Sequence, residues 1–275
     1  MLNKVNIKNR VTYITISRGA LTVKNYGFVF STEDKEILIP VATILMIFIE
    51  PGVTISHRAV ELAAKLGTSL IFISEGGTRL YSLGTIWNKN NSNTIKQAKA
   101  AFTLKDRKKI LNKMFFIRFG ENPPRKNLTE DQLRGIEGAR VRSTYQYLAK
   151  KYNVEWKGRA YEKKSDNKFI NDKVNQALTS SNFALYSIVE AVIVALGYSP
   201  AIGFLHSGKN ISFVLDIADL IKFETTVPLS FRLSKSIKNK NLNKEVRLAC
   251  RDMFNEKNII SKIIELIEEV FEVLD

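Results

Sequence analysis

The sequence predicts an α+β protein in which an N-terminal β-rich, sandwich-like domain precedes a larger all-α domain. Three observations support this: short β-branched and aromatic runs come first, a polar stretch without apolar periodicity follows, and apolar residues at helical spacing fill the remainder. Because 275 residues slightly exceed what one core of about 250 residues usually serves, two structural regions are expected. We predict a β-rich domain over 1–87, a linker over 88–93 and an α-helical domain over 94–275.

Short strands separated by turn-forming residues make up the first predicted domain. The predicted strands are 11–17, 20–23, 27–30, 36–39 and 44–49, followed by 69–74 and 79–83. Pro51 and Gly52 are expected to end the first series. One short helix is predicted from Ser56, a suitable N-cap, to Leu66, with Gly67 just past its end.

Seven helical segments are predicted in the second domain from apolar residues at helical spacing. They are 94–119, 129–152, 171–196, 213–223, 228–236, 245–255 and 259–274. The second has the best-marked start, because Thr129 and Gln132 form a capping pattern for free backbone donors.

Glu137 lies in this helix where a hydrocarbon side chain is expected. It falls near the middle of a broad apolar arc, while Arg134 and Arg142 point elsewhere. The arc contains Ile136, Val141, Thr144, Tyr147 and Leu148. Burying an ionised carboxylate without a partner costs on the order of several kcal/mol, so Glu137 requires a cation or a strong donor. Gly135 and Gly138 leave room for something to approach.

Candidate partners for Glu137 lie downstream. Asp216 and Asp219 are three residues apart, so on a helix they share a face and repel each other. A divalent cation relieves that repulsion, and His206 on the preceding loop can add a nitrogen ligand. This mixed oxygen and nitrogen set suits Mg²⁺ or Mn²⁺. An Asp-x-x-Asp pair on a helix is usually solvated and a single histidine is usually structural, so the pattern alone leaves both interpretations open.

Several runs of sequence, in order, resemble one known family. The four longest are 132–142 (Gln-Leu-Arg-Gly-Ile-Glu-Gly-Ala-Arg-Val-Arg), 197–208, 216–223 and 245–252, with shorter ones at 50–57, 62–65 and 77–81. They resemble the CRISPR-associated spacer-acquisition integrases, the Cas one family, in its type I-E form. The resemblance implies that Glu137, His206 and Asp219 bind the metal, that Asp216 is a further acidic residue needed for catalysis, and that the helical domain is the catalytic one.

Charge and composition agree with a nucleic-acid partner. The net charge of +15 points to a polyanion, since Lys and Arg that neutralise phosphates release condensed counterions. An anionic membrane is the rival, but the chain has no run of about 18 apolar residues and begins with a polar, basic stretch, so we expect a cytoplasmic protein. A single cysteine, Cys250, excludes an internal disulfide and a cysteine-based zinc cluster.

The expected DNA contacts combine basic and aromatic side chains. They are Arg79, Tyr161, Tyr186, Lys222, Lys244, Arg247 and Arg251. Arg247 and Arg251 are four residues apart on one helical face, and Arg can hold a phosphate bidentately. Tyr186 matches a family tyrosine near the active site, although a core tyrosine explains it as well. Lys222, on the face of Asp219, can offset charge on the transition-state phosphorane.

The resemblance also implies a reaction and partners. The 3′ hydroxyls of a prespacer, a duplex DNA with 3′ overhangs or splayed ends, attack CRISPR leader-repeat DNA in a direct transesterification. The β-rich domain serves dimerisation and DNA contact, and two homodimers flank a Cas two dimer in a heterohexamer. Two alternatives remain: a stand-alone branched-DNA nuclease that uses water, and a non-catalytic DNA-binding subunit. The coexistence of Glu137, His206 and Asp219 argues against the last, because carboxylates repel phosphate.

Overall fold

The computed structural model describes residues 12–40, 44–74, 80–84, 91–120, 130–159, 172–236 and 242–274. Its strands are β1 (Thr12–Ile16), β2 (Gly19–Lys24), β3 (Gly27–Ser31), β4 (Glu36–Ile39), β5 (Ile44–Ile49), β6 (Val53–Ile55), β7 (Ser69–Ile73) and β8 (Leu80–Gly84). Its helices are α1 (His57–Leu66), α2 (Ser92–Phe102), α3 (Leu104–Phe119), α4 (Glu130–Tyr152), α5 (Lys173–Ala195), α6 (Ser212–Ile221), α7 (Thr226–Ser236), α8 (Leu242–Glu256) and α9 (Ile259–Glu272). A region of eight strands and the short helix α1 precedes the eight helices α2 to α9 within the described residues, which confirms the predicted α+β fold.

The strands form two sheets. Their strand orders are β1-β5-β7-β8 and β4-β3-β2-β6. Strand β6 was not predicted, because Pro51 and Gly52 were expected to end the strand series. They instead form a turn into β6, which pairs in parallel with β2 from Gly19–Val53 to Leu21–Ile55. A strand of three residues is too short to produce a recognisable alternation in the sequence.

Strands β5 and β7 are covered on both faces, which explains their continuous apolar sequences. On one face, Met46 and Ile71 join the core of the helical domain. On the other, Ile47 and Leu70 join a second core that contains α1 and the second sheet. The first sheet therefore packs against the helical region with one face and against the rest of the β-rich region with the other.

Helix α5 is the central element of the helical region. It packs against α6, α7, α8 and α9 and against β5 and β7. Asp172 caps it by accepting from the backbone N–H groups of Val174 at 2.8 Å and Asn175 at 3.4 Å. Within the described residues, α5 is long and apolar enough by length and composition to cross a membrane, but 61% of that stretch is buried inside the protein, as in a core helix.

Local capping chemistry predicted α1 well. Ser56 Oγ accepts from the backbone N–H of Ala59 at 3.2 Å, and Gly67 ends the helix in the left-handed conformation at φ 75°. The predicted capping residue Thr129 of α4 lies outside the described residues. So does the first half of the predicted linker, and α2 already begins at Ser92, earlier than the predicted helical domain.

Two helical predictions were wrong in detail. The segment 94–119 is two helices, because Thr103 has an extended backbone: its N–H donates to Lys99 O at 3.1 Å, and its C=O accepts from Arg107 N at 2.9 Å. In α4, Tyr147 is 62% exposed, although it was placed on the buried arc. Tyr145 is buried instead and stacks on Trp156 at 4.9 Å between ring centroids, because Trp156 and Phe231 pack against that side of the helix.

We expect Gly19→Ala to lower the free energy of unfolding by about 1 to 3 kcal/mol. An added Cβ at Gly19 would lie 2.5 Å from Ser31 O and 2.7 Å from Phe30 Cζ, so β2 and β3 would have to separate. Chemical denaturation measures the change. The matched control is Gly135→Ala on the exposed side of α4, where a Cβ meets nothing within 4 Å. It should raise stability by up to about 1 kcal/mol, so equal effects of the two substitutions would contradict the packing argument.

We expect Cys250 to be unreactive towards thiol reagents in the folded protein. The side chain is 1% exposed in the helical core, and burial raises the pKa of its thiol to about 12. Since the thiolate is the reactive form, labelling should follow opening of the core. A thiol-reactive dye should modify one thiol per chain in guanidinium and almost none in native buffer at pH 8. Rapid native labelling would show that α8 is not packed as described.

Candidate active site

The acids Glu137 and Asp219 meet at one cation where α3, α4 and α6 come together. Arg118 Nη1, at the end of α3, donates to Glu137 Oε1 and lies 3.6 Å from Asp219 Oδ2. The three side chains are 6% (Arg118), 15% (Glu137) and 11% (Asp219) exposed. Glu137 therefore has the cationic partner that its position requires, and a second buried acid shares it.

Lys222 fixes the other oxygen of Asp219. Its Nζ donates to Asp219 Oδ1 and lies 5.3 Å from the ring centroid of Phe223. Burial raises the pKa of Asp219, but Lys222, Arg118 and His206 lower it by more, so the net pKa lies below its ordinary value. Asp219 is therefore ionised at neutral pH, and His206 is close enough to contribute to its electrostatics.

Arg118 was not among the predicted site residues. Partners for Glu137 were expected downstream in the sequence, whereas Arg118 lies upstream of it. The available signal was an arginine between aliphatic and aromatic neighbours, Ile117 and Phe119, at the end of a helix. Its guanidinium carbon lies 5.3 Å from the ring centroid of Phe119 and 5.2 Å from that of Phe223. Burial lowers the pKa of Arg118, and Asp219 opposes this. Within the described part of the chain, the buried Nε and Nη2 have no hydrogen-bond partner.

Asp216 turns away from Arg118 and binds the loop that carries His206. Its carboxylate accepts from the backbone N–H groups of Phe204 at 2.5 Å, Leu205 at 3.2 Å and His206 at 2.9 Å. His206 Nδ1 lies 2.7 Å from Asp216 Oδ1. Because a carboxylate only accepts, Nδ1 carries the hydrogen, and Nε2 keeps its lone pair in the neutral ring. This is how a carboxylate commonly orients a metal-binding histidine.

Side chains of α2 and α3 also bind the loop that carries His206. Arg107 Nη2 of α3 donates to Phe204 O at 2.7 Å, and Gln97 of α2 donates to the carbonyls of Ser199 at 3.0 Å and Ile202 at 2.7 Å. At Gly203, an added Cβ would lie 2.8 Å from Ser212 Cβ, so only glycine permits this close approach. The loop is therefore fixed by backbone contacts as well as by Asp216.

The side chains of Glu137, Asp219 and His206 are of the chemical types that bind Mg²⁺ or Mn²⁺. Glu137 and Asp219 supply carboxylate oxygens and His206 supplies Nε2, the mixture that these cations accept. Among the described residues, no group of three or more His, Cys, Asp or Glu side chains already has a metal-holding arrangement. Between Glu137 and Asp219 the structure has the Arg118 guanidinium.

The predicted DNA contacts are spread over several elements. Tyr186 is half-buried against the helical core, with its ring 6.5 Å from that of Phe183. Arg247 is half-buried on α8, and Arg251 is exposed and pairs with Asp252 at 2.8 Å. Lys222 faces Asp219, as described. Arg79 and Tyr161 lie outside the described residues, and for Lys244 only its place in α8 is described.

Two sheets, a helical region and a site in which buried acids lie beside a half-buried imidazole, in a chain of net charge +15, are features that suit an enzyme acting on nucleic acid. Residues 12–119 and 121–266 match the family model described as CRISPR associated protein Cas1. The chain therefore belongs to the Cas1 (Cas one) family, as its sequence motifs indicated.

Individual relatives agree with this assignment. The chain is 44% identical to the CRISPR-associated endonuclease Cas1 of Escherichia coli, over 98% of this chain and 87% of that protein, and 42% identical to that of Geobacter sulfurreducens over the same shares. It is similar to a solved structure described as a TtCas1-DNA complex, at a TM-score of 0.84 and 32% identity, over 94% of this chain and 96% of that one. A casposase bound to integration product shares the fold, at a TM-score of 0.57 and 15% identity over 94% and 95%.

We expect Asp216→Asn to lower the free energy of unfolding by about 2 to 5 kcal/mol, because an amide cannot accept all the hydrogen bonds that this buried carboxylate accepts. Denaturation measures the loss, and NMR of the His206 ring should show that the hydrogen on Nδ1 is no longer fixed. Asp252→Asn on α8 is the control, since Asp252 is 66% exposed. It should stay within about 0.5 kcal/mol of the parent, and a similarly small effect of Asp216→Asn would contradict the anchoring role.

Proposed function

We propose that this protein is a metal-dependent DNA integrase of CRISPR adaptation, in a type I-E system, with associated DNA endonuclease activity. It joins the 3′-hydroxyl ends of a prespacer to the CRISPR repeat. The observation that carries the proposal is the convergence of Glu137 and Asp219 on one cation beside an oriented His206. Membership of the Cas1 family supports it, because the named relatives are endonucleases and so act on phosphodiesters.

The proposed cation is Mg²⁺ or Mn²⁺, held by Glu137, Asp219 and Nε2 of His206. Such an ion polarises the scissile phosphate and lowers the cost of forming an alkoxide from the 3′ hydroxyl. Asp216 orients the imidazole by accepting a hydrogen bond from Nδ1 of His206. Because the Asp216 side chain is fully buried, the accepting oxygen has a fixed position and so has the ring. Lys222 holds Asp219 in place and carries a positive charge beside the site where charge on phosphate increases.

The proposed reaction needs no covalent protein intermediate. The prespacer 3′ oxygen forms a bond to a repeat phosphorus, the bond from that phosphorus to the repeat 3′ oxygen breaks, and that oxygen takes up a proton. One phosphodiester replaces another, so no nucleotide hydrolysis is required. The chain carries none of the phosphate-binding loops of the form Gly-x4-Gly-Lys-Ser/Thr that ATPases use.

We further propose that the basic and aromatic residues bind the DNA. The net charge of +15 favours phosphate contact, and Arg251 is exposed at the surface of α8. Arg79, Tyr161, Tyr186, Lys244 and Arg247 complete the proposed set. Because two prespacer ends require two active sites, the proposed assembly has two homodimers on a Cas two dimer, formed in the cytoplasm with the β-rich domain at the dimer contact.

A second candidate is a nuclease for branched DNA, which the naming of the relatives as endonucleases favours. Water would then replace the 3′ hydroxyl as the attacking group at the same site. A purely DNA-binding role is the third possibility, and the two ionised acids oppose it because they repel phosphate.

We expect His206→Ala, Glu137→Gln and Asp219→Asn each to lower strand transfer at least about 100-fold, because each removes one proposed metal ligand. The assay follows joining of a labelled duplex with 3′ overhangs to leader-repeat DNA in Mn²⁺, and EDTA should abolish the product. His57→Ala is the matched control: His57 is the other histidine of the chain and lies exposed at the start of α1. It should leave the rate within about twofold of the parent.

The same assay separates the alternatives. Joined product from the parent and from His57→Ala, but not from His206→Ala, supports the integrase. Nicked DNA without joined product supports the nuclease. Full activity of His206→Ala would reject the proposed metal site, and DNA binding without any chemistry would leave only the binding role.

A further inference from the structure

Arg118 lies where the two acids of the candidate site face each other. Its Nη1 donates to Glu137 Oε1 and lies 3.6 Å from Asp219 Oδ2. Lys222 binds the other carboxylate oxygen of Asp219, Oδ1. The guanidinium is thus the cation that both carboxylates share. A divalent cation bound by Glu137 Oε1 and Asp219 Oδ2 would have to occupy the position of the Arg118 guanidinium.

The two acids that face Arg118 are balanced in charge by the protein itself. Two carboxylates, Glu137 and Asp219, face two side-chain cations, Arg118 and Lys222, and all four side chains are no more than 15% exposed. A divalent cation added to these four groups brings two further positive charges into a region from which water is largely excluded, and the Asp216 carboxylate behind His206 offsets at most one of them. Because charges interact strongly in such a region, the added ion is bound weakly unless negative charge accompanies it or a resident cation withdraws.

Arg118 is also incompletely satisfied. Its Nε and Nη2 are buried and have no hydrogen-bond partner among the residues that the structure describes, although a guanidinium has five N–H donors. The rings of Phe119 and Phe223 cover the group, and such contacts are weaker than hydrogen bonds to an oxyanion. A buried charge with free donors is costly, so an oxyanion that can reach them competes effectively for this side chain.

From these contacts we infer that Arg118 is a built-in competitor of the divalent cation and couples metal binding to DNA binding. The metal binds tightly once a DNA phosphate supplies the missing negative charge and replaces the two carboxylates as the partner of the Arg118 guanidinium. Metal and DNA therefore strengthen each other's binding, by equal factors as thermodynamic linkage requires. This inference rests on the proposed function, since it concerns the same metal site.

The test measures Mn²⁺ affinity from the free-ion EPR signal, with and without a duplex carrying single-stranded 3′ ends. In the parent protein the duplex should tighten Mn²⁺ binding. Arg118→Gln should bind Mn²⁺ at least about tenfold more tightly than the parent without DNA, because one competing charge is gone, and the duplex should then add little. Arg159→Gln is the control: that guanidinium donates to Asn175 at 2.9 Å and Thr179 at 3.0 Å, and its removal should leave Mn²⁺ affinity unchanged.

Thermal unfolding gives a second reading without DNA or catalysis. In EDTA, Arg118→Gln should melt below the parent, because Glu137 and Asp219 lose their shared cation. Mn²⁺ should raise its melting temperature by more than it raises that of the parent. If Arg118→Gln does not fold, Lys222→Met answers the same question, since it removes the other cation on Asp219 and should also tighten Mn²⁺ binding without DNA.

The outcomes separate this inference from the proposed function. Unchanged or weaker Mn²⁺ binding by Arg118→Gln, with strand transfer by the parent intact, would overturn the competition while the integrase stands. Mn²⁺ affinity of the parent that is the same with and without the duplex would also overturn it. A parent that binds no Mn²⁺ under either condition and joins no DNA would reject the metal site and this inference together.

Discussion

The burial of two carboxylates at the junction of α3, α4 and α6 is the constraint on which the helical region depends. Neither Glu137 nor Asp219 can leave water without a cation, and Arg118 satisfies both. Three helices must therefore meet at fixed positions. Such ion pairs are seldom the most stable solution for a core, since apolar residues of similar volume pack at lower cost. Their presence is better explained by chemistry than by stability.

A third buried carboxylate, Asp216, makes this junction rigid. Asp216 accepts from three consecutive backbone N–H groups and from the His206 ring, so four hydrogen bonds join the loop to α6. Asp216 and Asp219 are neighbours on one helix but face different partners. The sequence spacing suggested one shared cation for both, whereas one acid orients the imidazole and the other faces the cation.

Structural features that depend on neighbouring residues could be predicted from the sequence. Contacts between distant segments could be predicted only in part. Helix α1 was predicted correctly because Ser56 and Gly67 act within a few residues of themselves. The position of Glu137 predicted that a cation must exist. It did not predict Arg118, because the choice among many basic side chains depends on how α3 crosses α4. The break at Thr103 and strand β6 were missed for the same reason: tertiary packing decides them, and no local pattern marks them.

The doubly covered sheet connects these sites to the rest of the chain. Side chains of β5 and β7 alternate between the two cores, so the β-rich region cannot shift against α5 without opening both. Helix α5 in turn packs against α6, which carries Asp216 and Asp219. A proposed integrase that acts at two ends of one DNA needs active sites at a fixed separation. In the proposed assembly, dimerisation through the β-rich domain sets that separation only if the domain is rigidly joined to the site, and the shared sheet provides that connection.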